Sequence, residues 1–116
     1  MSETPKTAYK VLTAEQMQAL EADAFEGAPV DIADGYIHLS TRAQLQETLD
    51  RHFAGQEGLW LAAVDLDALG DAVKWEESRG GQLFPHIHGK LTLDAVTAYS
   101  ELHYEADGSL RLPVTG

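Results

Sequence analysis

The run Leu59-Trp60-Leu61-Ala62-Ala63-Val64 constrains the fold most. It is too short for a stable helix, and it has no polar side to turn toward water. A stretch of this kind is a strand covered on both faces. The chain, 116 residues long, must therefore supply two covering layers. Two segments are suited to the task. Thr13-Ala14-Glu15-Gln16 has the form of a capping box, and it predicts a helix to about Asp23 with Met17, Leu20 and Ala24 on one face. Thr41-Arg42-Ala43-Gln44 is a second capping box. Behind it Leu45, Leu49, His52 and Phe53 form the stripe of an amphipathic helix, which Gly55 is placed to end.

The remaining chain reads as strands and turns. Ala8 to Leu12 predicts a first strand and Tyr36 to Leu39 a short second one. Phe25 to Ala33 is expected as a loop punctuated by Gly27 and Pro29. Asp65 to Asp71 is a turn, with one helical turn around Leu66 and Leu69. Val73 to Glu76 alternates, with Val73 and Trp75 on one side and Lys74 and Glu76 on the other. A loop carrying Gly80-Gly81 follows. Phe84 to Gly89 is extended, because Pro85 biases its predecessor away from helix. Val96 to Tyr104 alternates again, and Asp107-Gly108 predicts a hairpin into Leu110-Arg111-Leu112, closed by Pro113. Two helices in the N-terminal half and several strands after them predict an α+β fold with a mixed or antiparallel sheet. One domain is expected over 8–113, with 1–7 as a flexible N-terminal tail.

Composition narrows the partners. The net charge of -11, from 8 basic and 19 acidic residues, disfavours a broad phosphate footprint on nucleic acid. A small-molecule ligand remains the expected partner, since a local basic pocket for one anion is still allowed. There is no cysteine, which excludes thiol nucleophiles and Cys-based zinc sites. Neither a signal-peptide pattern nor an apolar stretch of membrane-spanning length is present, so a soluble, cytoplasmic protein is expected.

Chemistry gathers around three histidines. His38 lies on a predicted strand one step before a helix start, where Ser40 and Thr41 offer hydroxyls and free N–H groups favour anions. His86 and His88 fall on one face of an extended segment, so that with His38 they could form a metal site. The opposing reading, one histidine in the core and two on the surface, carries more weight, because two-residue spacing alone is a weak signal. Glu76 and Arg79 sit beside Trp75 at the mouth of the glycine loop. There a carboxylate can act as base or stabilise charge, and an arginine can hold an anion. The plainer reading is a solvated surface pair worth little.

Taken together, Gly27-Ala28-Pro29-Val30-Asp31, Asp34-Gly35-Tyr36-Ile37-His38-Leu39-Ser40, Trp75-Glu76-Glu77-Ser78-Arg79-Gly80-Gly81 and Leu83-Phe84-Pro85-His86-Ile87-His88-Gly89 resemble a small bacterial family labelled domain of unknown function 952. The resemblance spans about Tyr9 to Pro113. The family reads Phe-Pro-His-Leu-Tyr-Gly where this chain has His88. It looks like a compact relative of the ADP-ribosyltransferase fold, and Ile37-His38-Leu39-Ser40 is similar to a Val-His-Leu-Ser segment of tRNA 2′-phosphotransferases. This implies a split sheet with a cleft, and NAD as the cofactor of that fold. Those enzymes hold NAD with a His-Gly pair on the first strand, where this chain reads Tyr9-Lys10-Val11.

The expected site is thus a cleft in which His38, Glu76 and His86 are catalytic, and Ser40, Thr41, Arg79, Tyr36 and Trp75 bind the ligand. The expected chemistry is transfer or hydrolysis at a nucleotide-like or phosphorylated small molecule. A non-catalytic metabolite-binding module is the alternative, and a His-ligated metal protein is a third.

Overall fold

The structure, a computed structural model, describes residues 6–53, 55–77, 81–104, 106 and 110–111. The elements run β1 (Thr7–Leu12), α1 (Ala14–Glu21), α2 (Pro29–Asp34), β2 (Ile37–His38), α3 (Arg42–His52), β3 (Trp60–Asp65), α4 (Leu66–Leu69), β4 (Val73–Glu77), β5 (Leu83–Ile87), β6 (Val96–Glu101), β7 (His103–Tyr104) and β8 (Leu110–Arg111). The strands form two three-stranded sheets, ordered β1-β3-β6 and β2-β5-β4, and a β7-β8 pair. Every strand pairing among the described residues is antiparallel, so the sheet is not mixed. Among the described residues the backbones of the two large sheets meet at an isolated bridge, Tyr9 to Ser40, with N–H···O distances of 2.7 and 2.9 Å.

The apolar run behaves as its pattern demands. Leu61, Ala62, Ala63 and Val64 on β3 are all fully buried. Their side chains alternate between two cores. Ala62 and Val64 join Ala8, Leu12, Met17, Leu20, Ile37 and Ile87 in a cluster drawing on both sheets and α1. Leu61 and Ala63 join Tyr9, Val11, Leu45 and Leu49 in a second cluster closed by α3. Both capping boxes are formed, Thr13 with Gln16 and Thr41 with Gln44.

Several boundaries differ from the sequence reading; the expected strand Val96 to Tyr104, for one, is split at Leu102 into β6 and β7, which belong to different sheets. The helix α1 stops at Glu21 and leaves Ala24 exposed, because Asp23 turns left-handed (φ 60°) and Ala24 N–H bonds back to Ala19. The expected loop Phe25 to Ala33 contains α2, which makes three helices before β3 rather than two. Pro29 opens that helix, a position where its missing N–H costs nothing. Asp34-Gly35 consequently ends a helix, with Gly35 at φ +87°, a conformation glycine adopts without strain. Thr7 already belongs to β1; residues 1–5, the Asp107-Gly108 turn, Leu112 and Pro113 lie outside the described residues.

Candidate functional site

The sheet β2-β5-β4 has one apolar face and one that carries chemistry. Ile37, Ile87 and Val73 are register partners, and Trp75 lies opposite Pro85. These side chains lie on the core side, where Ile37 and Ile87 are buried and Val73 and Trp75 pack against the same cluster. The alternate positions carry His38 opposite His86, and Glu76 opposite Phe84. Period-two alternation thus collects His38, His86 and Glu76 on one face and sends Trp75 to the other.

Two carboxylate–imidazole pairs stand on that face. In the first, Asp31 of α2 takes His38 Nδ1 at 2.7 Å. The same carboxylate accepts from His38 N–H (3.0 Å) and Ala28 N–H (2.8 Å), and Lys10 Nζ lies 2.8 Å from its Oδ2. Lys10 also donates to the His38 carbonyl at 3.0 Å. Asp31 is thus a buried hub that ties α2 to β1 and β2. Burial alone would raise its pKa. The bonds from His38 and the charge and bond of Lys10 outweigh burial and hold it at about 2. Lys10 is pushed below the usual lysine value by burial, against the pull of Asp31. Asp31 collects four donors whereas Lys10 has one anion and one carbonyl, so the pair is ionised.

In the second pair, Glu76 Oε1 accepts from His86 Nδ1 at 2.9 Å and from His88 Nε2 at 2.7 Å. The bonds from His88 and His86 hold the Glu76 carboxyl below its ordinary value. Burial lowers the His86 pKa, with Glu76 opposing, which favours a neutral ring. With Nδ1–H given to Glu76, His86 Nε2 is left as an acceptor. Tyr36 stacks on His86 and His88 at ring distances of 4.3 and 5.2 Å, and the His38 and His86 rings stand 5.1 Å apart. Burial, Asp34 and Glu76 raise the Tyr36 hydroxyl.

His38 has a second carboxylate neighbour, Asp34 Oδ2, 3.0 Å from Nε2. The two bonds are unequal. The Asp31 side chain is 1% exposed and that of Asp34 45%. A desolvated charge-assisted bond is worth about 1.5–3 kcal/mol, an exposed ion pair about 0–1. The Asp31 contact therefore dominates.

A cavity of about 650 Å³ opens beside these groups. Lys10, Asp34, His38, Ser40 and His86 line its polar side, and Phe53 and Phe84 are among its apolar lining. Its size is that of a small-molecule pocket. Ser40 is buried, with its hydroxyl 2.8 Å from that of Thr48 on α3. Thr41 accepts from Gln44 N–H, and Gln44 reaches back to Thr41 N–H; two donors at that helix end are thus already used.

The structure brings together His38, His86, Glu76 and Tyr36, and sets Ser40 on the cavity wall. Trp75 belongs to the core face, and Thr41 caps α3. Arg79 lies outside the described residues. Among the described residues no group of three His, Cys, Asp or Glu side chains is arranged to hold a metal ion. The sequence reading missed Asp31 and Lys10. A lone lysine inside the apolar strand Ala8 to Leu12 needs a buried counter-charge, which was the available signal. No helix among the described residues is long and apolar enough to cross a membrane.

A family model described as "Protein of unknown function (DUF952)" matches residues 11–99. The X-ray crystal structure of protein CC0527 from Caulobacter crescentus is 45% identical, covers 91% of this chain and 94% of that chain, and superposes with a TM-score of 0.81. The solution NMR structure of CC0527 is 45% identical with 90% coverage of each chain and a TM-score of 0.76. No curated protein matches. The likeness extends over nearly the whole of both chains, and by sequence and by fold this chain belongs to the DUF952 family, whose function is unknown.

Proposed function

We propose that the chain is an acid–base enzyme that transfers or hydrolyses a group on a nucleotide-like or phosphorylated small molecule. One observation carries this reading: two imidazoles, each held at Nδ1 by a carboxylate, border the same cavity. Such pairs orient the ring and leave Nε2 for proton transfer. In this scheme His86 accepts the proton of the attacking hydroxyl or water through Nε2. His38, entering the step protonated on both nitrogens, delivers its Nε2 proton to the leaving atom and keeps its Nδ1 proton on Asp31. Glu76 orients His86, and Tyr36 keeps the rings stacked. Ser40, with Thr48, supplies hydroxyls to the ligand, and Arg79 holds its anionic group.

Two antiparallel sheets that meet at a backbone bridge support a distant kinship with the ADP-ribosyltransferase fold, and NAD is the first cofactor to try. On that kinship Tyr9-Lys10-Val11 would take the place of the nicotinamide-holding pair, so a bound NAD would be held differently here. A binding module without turnover is the competing reading. It draws on His38, both of whose ring nitrogens already face carboxylates.

The experiment is a thermal-shift panel of NAD, ADP-ribose and mononucleotides, followed by turnover assays of whichever compounds bind. Stabilisation, with turnover lost in His38→Ala and His86→Ala, is expected. Stabilisation without turnover selects the binding module. No stabilisation by any member of the panel removes both.

A further inference from the structure

We propose that Asp31, clamped from behind by Lys10, is the positioning residue for His38, keeping the ring's remaining proton on Nδ1 so that Nε2 is the nitrogen offered to a ligand. The inference rests on the acid–base reading of the site for its purpose, but not for its test.

The geometry is specific. Asp31 Oδ1 takes both the backbone N–H and the ring Nδ1 of His38, at 3.0 and 2.7 Å, so one oxygen fixes the strand and the ring together. Its other oxygen is held by Ala28 N–H and Lys10 Nζ, both at 2.8 Å. Lys10 in turn grips the His38 carbonyl at 3.0 Å. The carboxylate therefore has no freedom to turn away from the ring. An Asp that served only to cap α2 and balance Lys10 would not need the ring contact, which is the shortest of the four.

The other groups facing the ring divide clearly. Asp34, also on α2, meets Nε2 at 3.0 Å, yet it is half-exposed and borders the cavity. It is the partner that a ligand atom displaces. His86 on β5 lies at 5.1 Å and Tyr36 at 4.8 Å as ring neighbours, and neither bonds to a His38 nitrogen. The inner bond is dry and fixed while the outer one is wet and replaceable. Nδ1 is thus committed and Nε2 is available.

The test reads the ring directly, by long-range proton–nitrogen correlation NMR of the nitrogen-labelled full chain, titrated between about pH 5 and pH 8. In the unaltered protein the neutral His38 ring is expected to carry its proton on Nδ1. A proton on Nε2, or on both nitrogens throughout the range, overturns the proposal. Asp31→Asn is expected to release the tautomer, so that the neutral ring no longer holds its proton on Nδ1 alone. Lys10→Met, which removes the rear partner of the Asp31 carboxylate and keeps Asp31, is expected to weaken the Nδ1 preference, with part of the ring population protonated on Nε2. Asp34→Asn is expected to leave the tautomer on Nδ1. Should Asp31→Asn fail to fold, the unaltered ring and Lys10→Met decide. A tautomer population unmoved by Lys10→Met counts against the clamp. Nδ1 protonation in a protein that binds nothing from the nucleotide-like panel keeps the positioning role and removes the enzyme reading. Turnover by a ring protonated on Nε2 does the reverse.

Discussion

Strands β3 and β5 hold the same place in their sheets, each in the middle of three antiparallel strands, and they do opposite things. β3 is hydrocarbon on both faces, closed by two cores. β5 alternates: Pro85 and Ile87 turn toward the core side, while Phe84 and His86 turn toward the cavity. The same topology thus yields a structural sheet where both faces are covered and a site where one face is left open. The sharpest way to break this contrast is Leu61→Ala on β3. Leu61 is fully buried, so a loss of about 2–5 kcal/mol is expected in urea unfolding. The His38 and His86 ring signals should stay unchanged in the surviving folded protein. If those signals move, the two sheets are not the separate units that the comparison makes them.

The next effect is acid sensitivity, which belongs to the site's sheet. Asp31 stays ionised in the folded chain down to about pH 2, whereas its ordinary value is 3.8. Between those values the unfolded state binds more protons, and stability falls as pH drops through the window. The loss amounts to about 2 kcal/mol. His86 adds a milder trend of the same sign. Its pKa is lowered in the folded state, so its contribution is complete above the ordinary histidine value and declines as pH falls below it. Urea midpoints measured from neutral to acid pH check both. Asp31→Asn should flatten the acid arm; an unchanged arm would mean that the hub is not what protonation breaks.

A smaller effect tests the covering helix. Thr41→Ala removes the side chain that accepts from Gln44 N–H at the start of α3. A cost of about 1 kcal/mol is expected, read as a lower urea midpoint with an unchanged slope. The loss should be general and leave the site chemistry alone, because Thr41 caps a helix that closes the second core.

Much of this was legible because it is periodic or local. The run at Leu59 to Val64 required two covering layers, and it has them. Alternation in Val73 to Glu76 separated Trp75 from Glu76 correctly, and the two capping boxes marked their helix starts. What sequence could not supply was pairing across the chain. That His38 faces His86, and that Lys10 reaches Asp31, depends on which strands become neighbours, and residue spacing does not encode that. The helix α2 was missed because six residues give no readable period, and its proline served equally well as a loop signal. Trp75 was read toward a pocket because Glu76 beside it has a chemical role. Adjacent strand residues point apart, and the alternation already in hand argued for the core.

The smallest stability effect is the most informative about the comparison. Glu76 on β4 is half-exposed and meets His86 and His88 through one oxygen. In Glu76→Gln the amide can still accept one of those bonds, but the charge is gone. Since Glu76 and His88 stand at the edge of water, thermal stability is expected to change little. The imidazole of His86 should respond more. Burial lowers its pKa and Glu76 opposes that effect, so losing the carboxylate leaves burial unopposed and moves the midpoint further down. A pH titration of the ring signals checks this. A midpoint that fails to move would show that Glu76 only decorates the surface and that β5 carries a buried histidine without an oriented one. A downward shift with unchanged stability would separate the two sheets by kind, because a residue on the open face could then be altered in its chemistry at almost no cost to the fold, which nothing on β3 permits.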